Sequence, residues 1–238
     1  MTFYISPLMQ KHREMAYSRM PVYCGECYIF TCPSCGGRKQ VARKVMPPAV
    51  YNVWSDGLYE DTPVRTVSLL QHCPHCGEYY AVDLYDTPVE ECTPLHDGCI
   101  GLEELESYLE RIEAQGDWVA PKLYMQYIHM YNDNFRRDGI DICKATYRQA
   151  RLFSQAILIV AALPSVPYNI SADLYRQAGM FRKCMDVAGD YSKHLKGEYL
   201  ESLDRTRYLA IIGDTAPFVM KSEELPWGRL SFPSRARC

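Results

Sequence analysis

The sequence lacks any apolar run long enough to cross a bilayer. Its most apolar segment, AILIVAAL at positions 156–163, is far shorter than the ~20 residues that a membrane-spanning helix needs. The N-terminal stretch MTFYISPLMQKHREMAY also lacks the basic region and long apolar core of a secretory signal. We therefore expect a protein of the cytoplasm that has no membrane partner.

Several short motifs that mark enzyme classes are missing as well. The chain contains no HExxH, GxSxG, P-loop or GxGxxG segment. No motif therefore supports a hydrolase or nucleotide-binding function. His12, His129 and His194 are isolated, and we expect surface or partly buried side chains at these positions. A non-catalytic role is favoured, and no residue is predicted to be catalytic.

The chain also lacks an excess of positive charge, since its formal net charge is -3 over 238 residues. The charges are unevenly placed: residues 1–50 contain 7 basic and 2 acidic groups, whereas residues 51–100 contain 1 basic and 9 acidic groups. We expect the two blocks to complement each other within one domain. Nucleic acid is therefore a disfavoured partner, although Arg19, Arg38, Lys39, Arg43 and Lys44 form a candidate phosphate-binding patch.

Cysteine, by contrast, is abundant, and two of its clusters are nearly identical. The segments CPSCG at 32–36 and CPHCG at 73–77 each place two thiols on one turn, and the final glycine tolerates the positive φ that such a turn requires. Two matched turns supply the four sulfurs of a tetrahedral zinc site. The predicted Zn²⁺ ligands are Cys32, Cys35, Cys73 and Cys76. A rubredoxin-like iron site is the alternative, and His72 and His75 are not needed as ligands.

A third pair, Cys24 and Cys27, lacks both the proline and the trailing glycine. Three interpretations stay open: thiols without a chemical role, a redox dithiol of the kind that CxxC pairs form, or a second metal site. The second metal site would recruit Cys92 and Cys99, with His96 as a substitute for one sulfur.

The inner cysteines of the two matched turns, Cys35 and Cys73, are separated by 37 residues. This stretch contains the sequence WSDG at 54–57. The Asp56–Gly57 pair predicts a tight turn, and alternating apolar residues predict strands on both sides of it. Trp54 and Tyr59 are expected to cover a small core, with a ligand platform as the alternative.

The order CPxCG, WSDG, a leucine-containing strand, CPxCG and then Tyr79 and Tyr80 resembles a family of uncharacterised bacterial zinc-ribbon proteins over about residues 28–85. The resemblance implies a ribbon fold with the four ligands named above, and it implies no activity. The same proteins resemble this chain further along, in a weaker pattern. That pattern maps to Asp173, Leu174, Tyr175, Arg176, Gly179 and Phe181.

After Gly101 the apolar period becomes helical. Leu102, Leu105, Leu109 and Ile112 predict a first helix. Further helices are predicted at 121–131, from 141 or 143 to 163, at 172–178 with Ser171 as N-cap, and at about 199–212. The spacing of Tyr175, Gly179, Phe181, Cys184 and Ala188 resembles one tetratricopeptide (TPR) unit, in which Cys184 is a packing residue.

The sequence thus predicts an α+β protein: an extension at 1–20, a zinc ribbon of small antiparallel sheets at 21–100, an antiparallel TPR-like helical array at 101–225, and a tail at 226–238. Helical arrays commonly bind proteins. The favoured function is a non-catalytic interaction module or scaffold for an unknown protein or peptide. The alternatives are a nucleic-acid-binding ribbon and a thiol–disulfide redox protein that uses Cys24 and Cys27.

Overall fold

A computed structural model describes residues 22–45, 50–58, 67–116, 119–138, 146–192 and 196–224. Within these ranges the chain forms small sheets and six helices. This mixture confirms the α+β class. The predicted N-terminal extension, the C-terminal tail and Tyr59 lie outside the described residues.

The strands of the described ranges form three small sheets. Their bounds are β1 Val22–Thr31, β2 Arg38–Val45, β3 Val50–Trp54, β4 Leu70–His72, β5 Tyr79–Ala81, β6 Val89–Glu91 and β7 Val219–Glu224. One sheet has the order β2-β1-β6, with β1 antiparallel to both neighbours. Strands β4 and β5 form an antiparallel hairpin, and β3 pairs with β7, a strand that the sequence analysis did not predict.

The six helices follow in the second half of the chain. Their bounds are α1 Leu102–Gln115, α2 Pro121–Asp138, α3 Tyr147–Ala161, α4 Tyr168–Gln177, α5 Phe181–Tyr191 and α6 Glu198–Ile211. The prediction of a helix starting at Ala172 was wrong, because Ser171 is buried inside α4 and the helix begins just after Pro167. Proline has the φ of a helix start and lacks an N–H that would need a partner.

The described residues divide into two compact units. The first contains residues 22–45, 50–52, 67–100 and 222–224, and the second contains residues 53–58 and the described part of 101–221. The boundary between the two units at Ile100–Gly101 coincides with the position where the apolar residues begin to repeat with helical spacing. The WSDG segment therefore groups with the helices rather than with the sheets around the cysteines.

The core of the first unit surrounds the central strand of its larger sheet. The stretch Cys27–Phe30 of β1 is buried throughout, as expected for a strand that has a neighbour on each edge. Tyr28 and Phe30 stack with ring centroids 5.9 Å apart. Two cysteines, Cys32 and Cys73, belong to the same apolar cluster.

The turn between α4 and α5 has the predicted geometry. Gly179 has a φ of 71°, and its N–H donates to the carbonyl of Arg176 while Met180 donates to Tyr175. Cys184 on α5 is fully buried, and burial raises the pKa of its thiol to about 11. The prediction that Cys184 is a packing residue is confirmed, whereas a complete TPR array is not established by this one turn.

A buried polar network forms part of the second unit's core. Asp173 accepts hydrogen bonds from Arg176 Nε at 2.7 Å, Gln177 Nε2 at 2.7 Å and Thr206 Oγ1 at 3.2 Å. Arg176 is fully buried and also donates to the backbone carbonyls of Asp214 and Ala216. The buried polar atoms of this ion pair therefore have hydrogen-bond partners. The two bonds from Arg176 to backbone carbonyls also hold the segment after α6 in place.

The same network reaches the WSDG segment through one amide. Asn132 Nδ2 donates to Gln177 Oε1 at 2.8 Å and to Asp56 Oδ2 at 2.7 Å. The Asp56 side chain is fully buried and also accepts from the N–H of Leu58. His129, which is partly buried as expected, contacts the Asp56 carbonyl at 3.2 Å.

Candidate metal centre

The two CPxCG segments fold into the same turn. In the first, the Cys32 carbonyl accepts from the N–H of Gly36 at 2.9 Å, and in the second the Cys73 carbonyl accepts from Gly77 at 3.0 Å. Gly36 and Gly77 have φ values of 71° and 78°. Because L-residues with a Cβ rarely adopt this region, the trailing glycine of each motif has a direct structural reason.

The two turns bring four sulfurs together. Cys32 Sγ lies 3.7 Å from Cys76 Sγ, and Cys35 Sγ lies 3.6 Å from Cys73 Sγ. All four atoms lie within 4.8 Å of one another. A zinc ion with four sulfurs at about 2.3 Å in tetrahedral geometry requires sulfur–sulfur edges of about 3.8 Å. The donor set and its spacing therefore fit one metal ion.

The two cysteines of each turn differ in their surroundings. The first of each pair, Cys32 or Cys73, is buried in the apolar cluster, whereas the second, Cys35 or Cys76, is exposed. Each turn is thus anchored in the core on one side and presents a sulfur to solvent on the other. A metal bound here would join the strand pair β1–β2 to the hairpin β4–β5.

The surroundings of the neighbouring sulfurs shift the pKa values of Cys73 and Cys76 in opposite directions. Desolvation of Cys73 opposes ionisation, but hydrogen bonds from the backbone N–H groups of Cys76 and His75 outweigh it and lower the pKa of this thiol to about 6. The N–H of Glu78 favours the Cys76 thiolate, yet desolvation and the neighbouring sulfurs raise the pKa of Cys76 to about 12. Four thiolates this close repel one another. A cation is what allows them all to ionise.

The histidines near the turns do not belong to the sulfur group. His75 Nε2 lies 3.2 Å from the carbonyl oxygen of Arg38, and the ring of the exposed His72 packs on Tyr79. The His75 ring also covers Gly37, where a Cβ would collide with it. Sequence reasoning missed this role of Gly37, because the ring comes from the other turn.

Tyr80 is a second residue that the sequence did not single out for the site. Its hydroxyl is buried and finds no hydrogen-bond partner among the described residues. Burial and the nearby sulfur charges raise the pKa of Tyr80 to about 12. This phenol is therefore neutral at physiological pH.

The remaining cysteine candidates are arranged differently from the second metal site considered above. Cys27 forms a disulfide with Cys92, and the side chain of Cys24 lies outside the described residues. Cys99 is exposed and lies outside the four-sulfur group. His96 Nδ1 lies 3.3 Å from the N–H of Gln40, which donates to it. Among the described residues, the only group of three or more metal-ligating side chains is the four-sulfur group.

The candidate phosphate-binding patch is largely engaged within the protein. Arg38 pairs with Glu90 at 2.9 Å, and Arg43 pairs with Glu26 at 2.6 Å. Lys39 is buried and donates to Gln71 at 2.9 Å. The side chain of Lys44, and Arg19 altogether, lie outside the described residues.

No family model matches the chain. No curated protein and no solved structure matches it at a significant level either. Within the part of the chain that the structure describes, no helix is both long and apolar enough to pass through a bilayer.

Proposed function

We propose that the chain is a non-catalytic, zinc-binding interaction protein. The observation that supports this most directly is the set of four cysteine sulfurs in tetrahedral spacing. A catalytic zinc ion needs an open coordination position, whereas four protein ligands complete the shell. The ion would therefore act on folding and not on a substrate.

Zinc is preferred to iron because a compact site of four thiolates suits zinc, and because the spacing of the cysteines fits neither common iron–sulfur pattern. As in the bacterial zinc-ribbon proteins that the sequence resembles, the ion would fix a ribbon around β1, β2, β4 and β5. A cytoplasmic location is part of the proposal, since thiols stay reduced there.

Recognition would fall to the helical unit, which we propose to be a short TPR-like array. In this unit, Tyr208, Ile211 and Ile212 at the end of α6 are 61%, 72% and 56% exposed. Their spacing of three and four residues places them on one side of the helix. Exposed aromatic and aliphatic side chains of this kind favour a protein or peptide partner.

The alternatives have weaker support. Nucleic-acid binding needs free cationic side chains, and Arg38, Lys39 and Arg43 are already engaged with groups of the same unit. Redox chemistry at a Cys24–Cys27 pair is not favoured, because Cys27 is bonded to Cys92.

The metal part of the proposal is tested by changing one buried ligand. The Cys73→Ser variant, purified without chelators, should lose its zinc and the folded state of the first unit, because structural zinc contributes about 10–16 kcal/mol to small domains of this kind. The matched control is Cys99→Ser, which removes an exposed thiol outside the four-sulfur group. Zinc retained by Cys73→Ser, or lost from Cys99→Ser, would contradict the assignment.

The interaction part is tested by affinity capture from cytosol with matched variants. We expect a defined protein to bind the wild type and the exposed-site control Glu201→Arg, and to be lost with the Tyr208→Glu, Ile211→Glu double variant. All three proteins should melt at similar temperatures, since these side chains are exposed. If no captured protein depends on the apolar end of α6, this surface is not the binding site.

A further inference from the structure

Two more cysteines of the first unit are joined outside the metal centre. Cys27, on the central strand β1, is fully buried and forms a disulfide with Cys92, which directly follows β6 and is partly exposed. The bond connects residues 65 positions apart. Both CPxCG turns lie between these two cysteines in the sequence.

The disulfide secures a strand that otherwise depends on its backbone pairing with β1. All three residues of β6 are exposed, so this strand gains almost nothing from apolar burial. It pairs with β1 through Glu26–Glu91, Cys27–Glu90 and Tyr28–Val89. Its ion pair, Arg38–Glu90, joins side chains that are each more than half exposed, and such pairs contribute little. The covalent bond therefore adds to the backbone pairing with β1 as the main side-chain attachment of this edge.

The site also accommodates the reduced state. The carbonyl oxygen of Cys92 lies 3.3 Å from Cys27 Sγ, so a thiol at this buried position would have an acceptor within reach. The four sulfurs of the metal centre must themselves be reduced to bind an ion. In a compartment that keeps thiols reduced, an additional disulfide is typically transient and responds to redox conditions.

The metal ligands all lie between Cys27 and Cys92 in the sequence. The loop closed by the metal therefore lies inside the loop closed by the disulfide, and closing one loop affects the entropy of closing the other. A bound ion closes a loop of about 41 residues between the turns when the disulfide is open. When the disulfide is closed, the same ion divides an existing ring, and the effective loop falls to about 15 residues. Because the probability of loop closure falls as the three-halves power of loop length, the closed disulfide should raise the apparent metal affinity about fivefold.

We propose that the Cys27–Cys92 pair is a reversible thiol switch that sets the metal affinity of the four-cysteine centre. This inference rests on the proposed metal-binding function. The effect is reciprocal, since whatever favours metal binding in the oxidised chain must favour the disulfide in the metal-loaded chain by the same factor.

The exchange that operates the switch needs a protein or small-molecule dithiol as reductant. One thiolate of the dithiol attacks Cys92 Sγ, the more accessible sulfur, and Cys27 leaves as a thiolate that takes up a proton. The second thiolate of the dithiol then attacks the mixed disulfide and releases Cys92. Two electrons pass to the protein, which gains two thiols, and the dithiol leaves as a disulfide. The reverse exchange, with that disulfide as the oxidant, closes the pair again.

The test measures zinc affinity in the full chain by competition with a chromophoric chelator. Zinc-loaded wild type is compared after mild oxidation, after treatment with a phosphine reductant, and as the Cys27→Ser, Cys92→Ser double variant. Mass spectrometry of non-reduced peptides verifies the state of the pair. The control is Cys99→Ser, in which the pair and the four ligands are intact.

We expect the oxidised wild type and oxidised Cys99→Ser to bind zinc about fivefold more tightly than the reduced wild type and the double variant. Equal affinities in all four samples would overturn the switch while leaving the metal site intact. A second zinc equivalent that appears on reduction and is lost in the double variant would replace the switch by a second metal site. Absence of zinc from every sample would instead overturn the proposed function itself.

Discussion

The buried pair of Asp173 and Arg176 shows how much a single residue contributes to the helical unit. Both side chains are fully buried, and removing one charge would leave the other without its partner. We expect Asp173→Asn to destabilise the protein by about 3–5 kcal/mol. The measurement is urea unfolding followed by helical circular dichroism.

The control for this change is Asp204→Asn, which opens an exposed pair with Arg207 at 3.5 Å. Exposed pairs contribute less than about 1 kcal/mol. Similar effects of the two substitutions would show that the Asp173 network is not a stabilising core element.

A substitution at Tyr80, unlike the one at Asp173, is expected not to lower the stability of the protein. The buried Tyr80 hydroxyl has no hydrogen-bond partner among the described residues, and a buried polar group without a partner costs about 1–3 kcal/mol. Tyr80→Phe should therefore leave the metal-loaded protein as stable as the wild type or more so, in thermal unfolding. A clear loss of stability would mean that the hydroxyl makes a contact important for the site.

At the scale of elements, local patterns were predictable and distant pairings were not. The repeated CPxCG turn could be predicted because a turn is specified by its own proline and glycine. The disulfide between Cys27 and Cys92 could not, since the partner is chosen by the pairing of β6 with β1. Likewise, neither the WSDG nor the DLYR sequence indicates that Asn132 and Gln177 connect Asp56 to Asp173.

The turn between α4 and α5 gives a test at this scale with an internal control. Gly179 has a φ of 71°, so Gly179→Ala should destabilise the helical unit by about 1–2 kcal/mol. Gly189 lies within α5 with open space at its Cβ position, and Gly189→Ala should stabilise by about 0.5–1 kcal/mol. Thermal unfolding measures both, and the same sign for the two variants would contradict the assigned turn.

In the whole molecule, the first unit is proposed to depend on a bound metal for its folding, whereas the second unit has an apolar core of its own. The described helical residues contain no group of metal-ligating side chains, and their core is built from apolar residues and the polar network. A strong chelator should therefore abolish the ordered state of the first unit. The far-ultraviolet helix signal should persist, and its loss at the same chelator concentration would contradict the division.

We propose that Cys32, Cys35, Cys73 and Cys76 jointly bind one zinc ion. X-ray absorption at the zinc edge, combined with elemental analysis of protein purified without chelators, tests it most directly. We expect one zinc per chain with four sulfur neighbours at about 2.3 Å. A protein without metal, or a zinc shell that contains nitrogen or oxygen in place of these sulfurs, would contradict it.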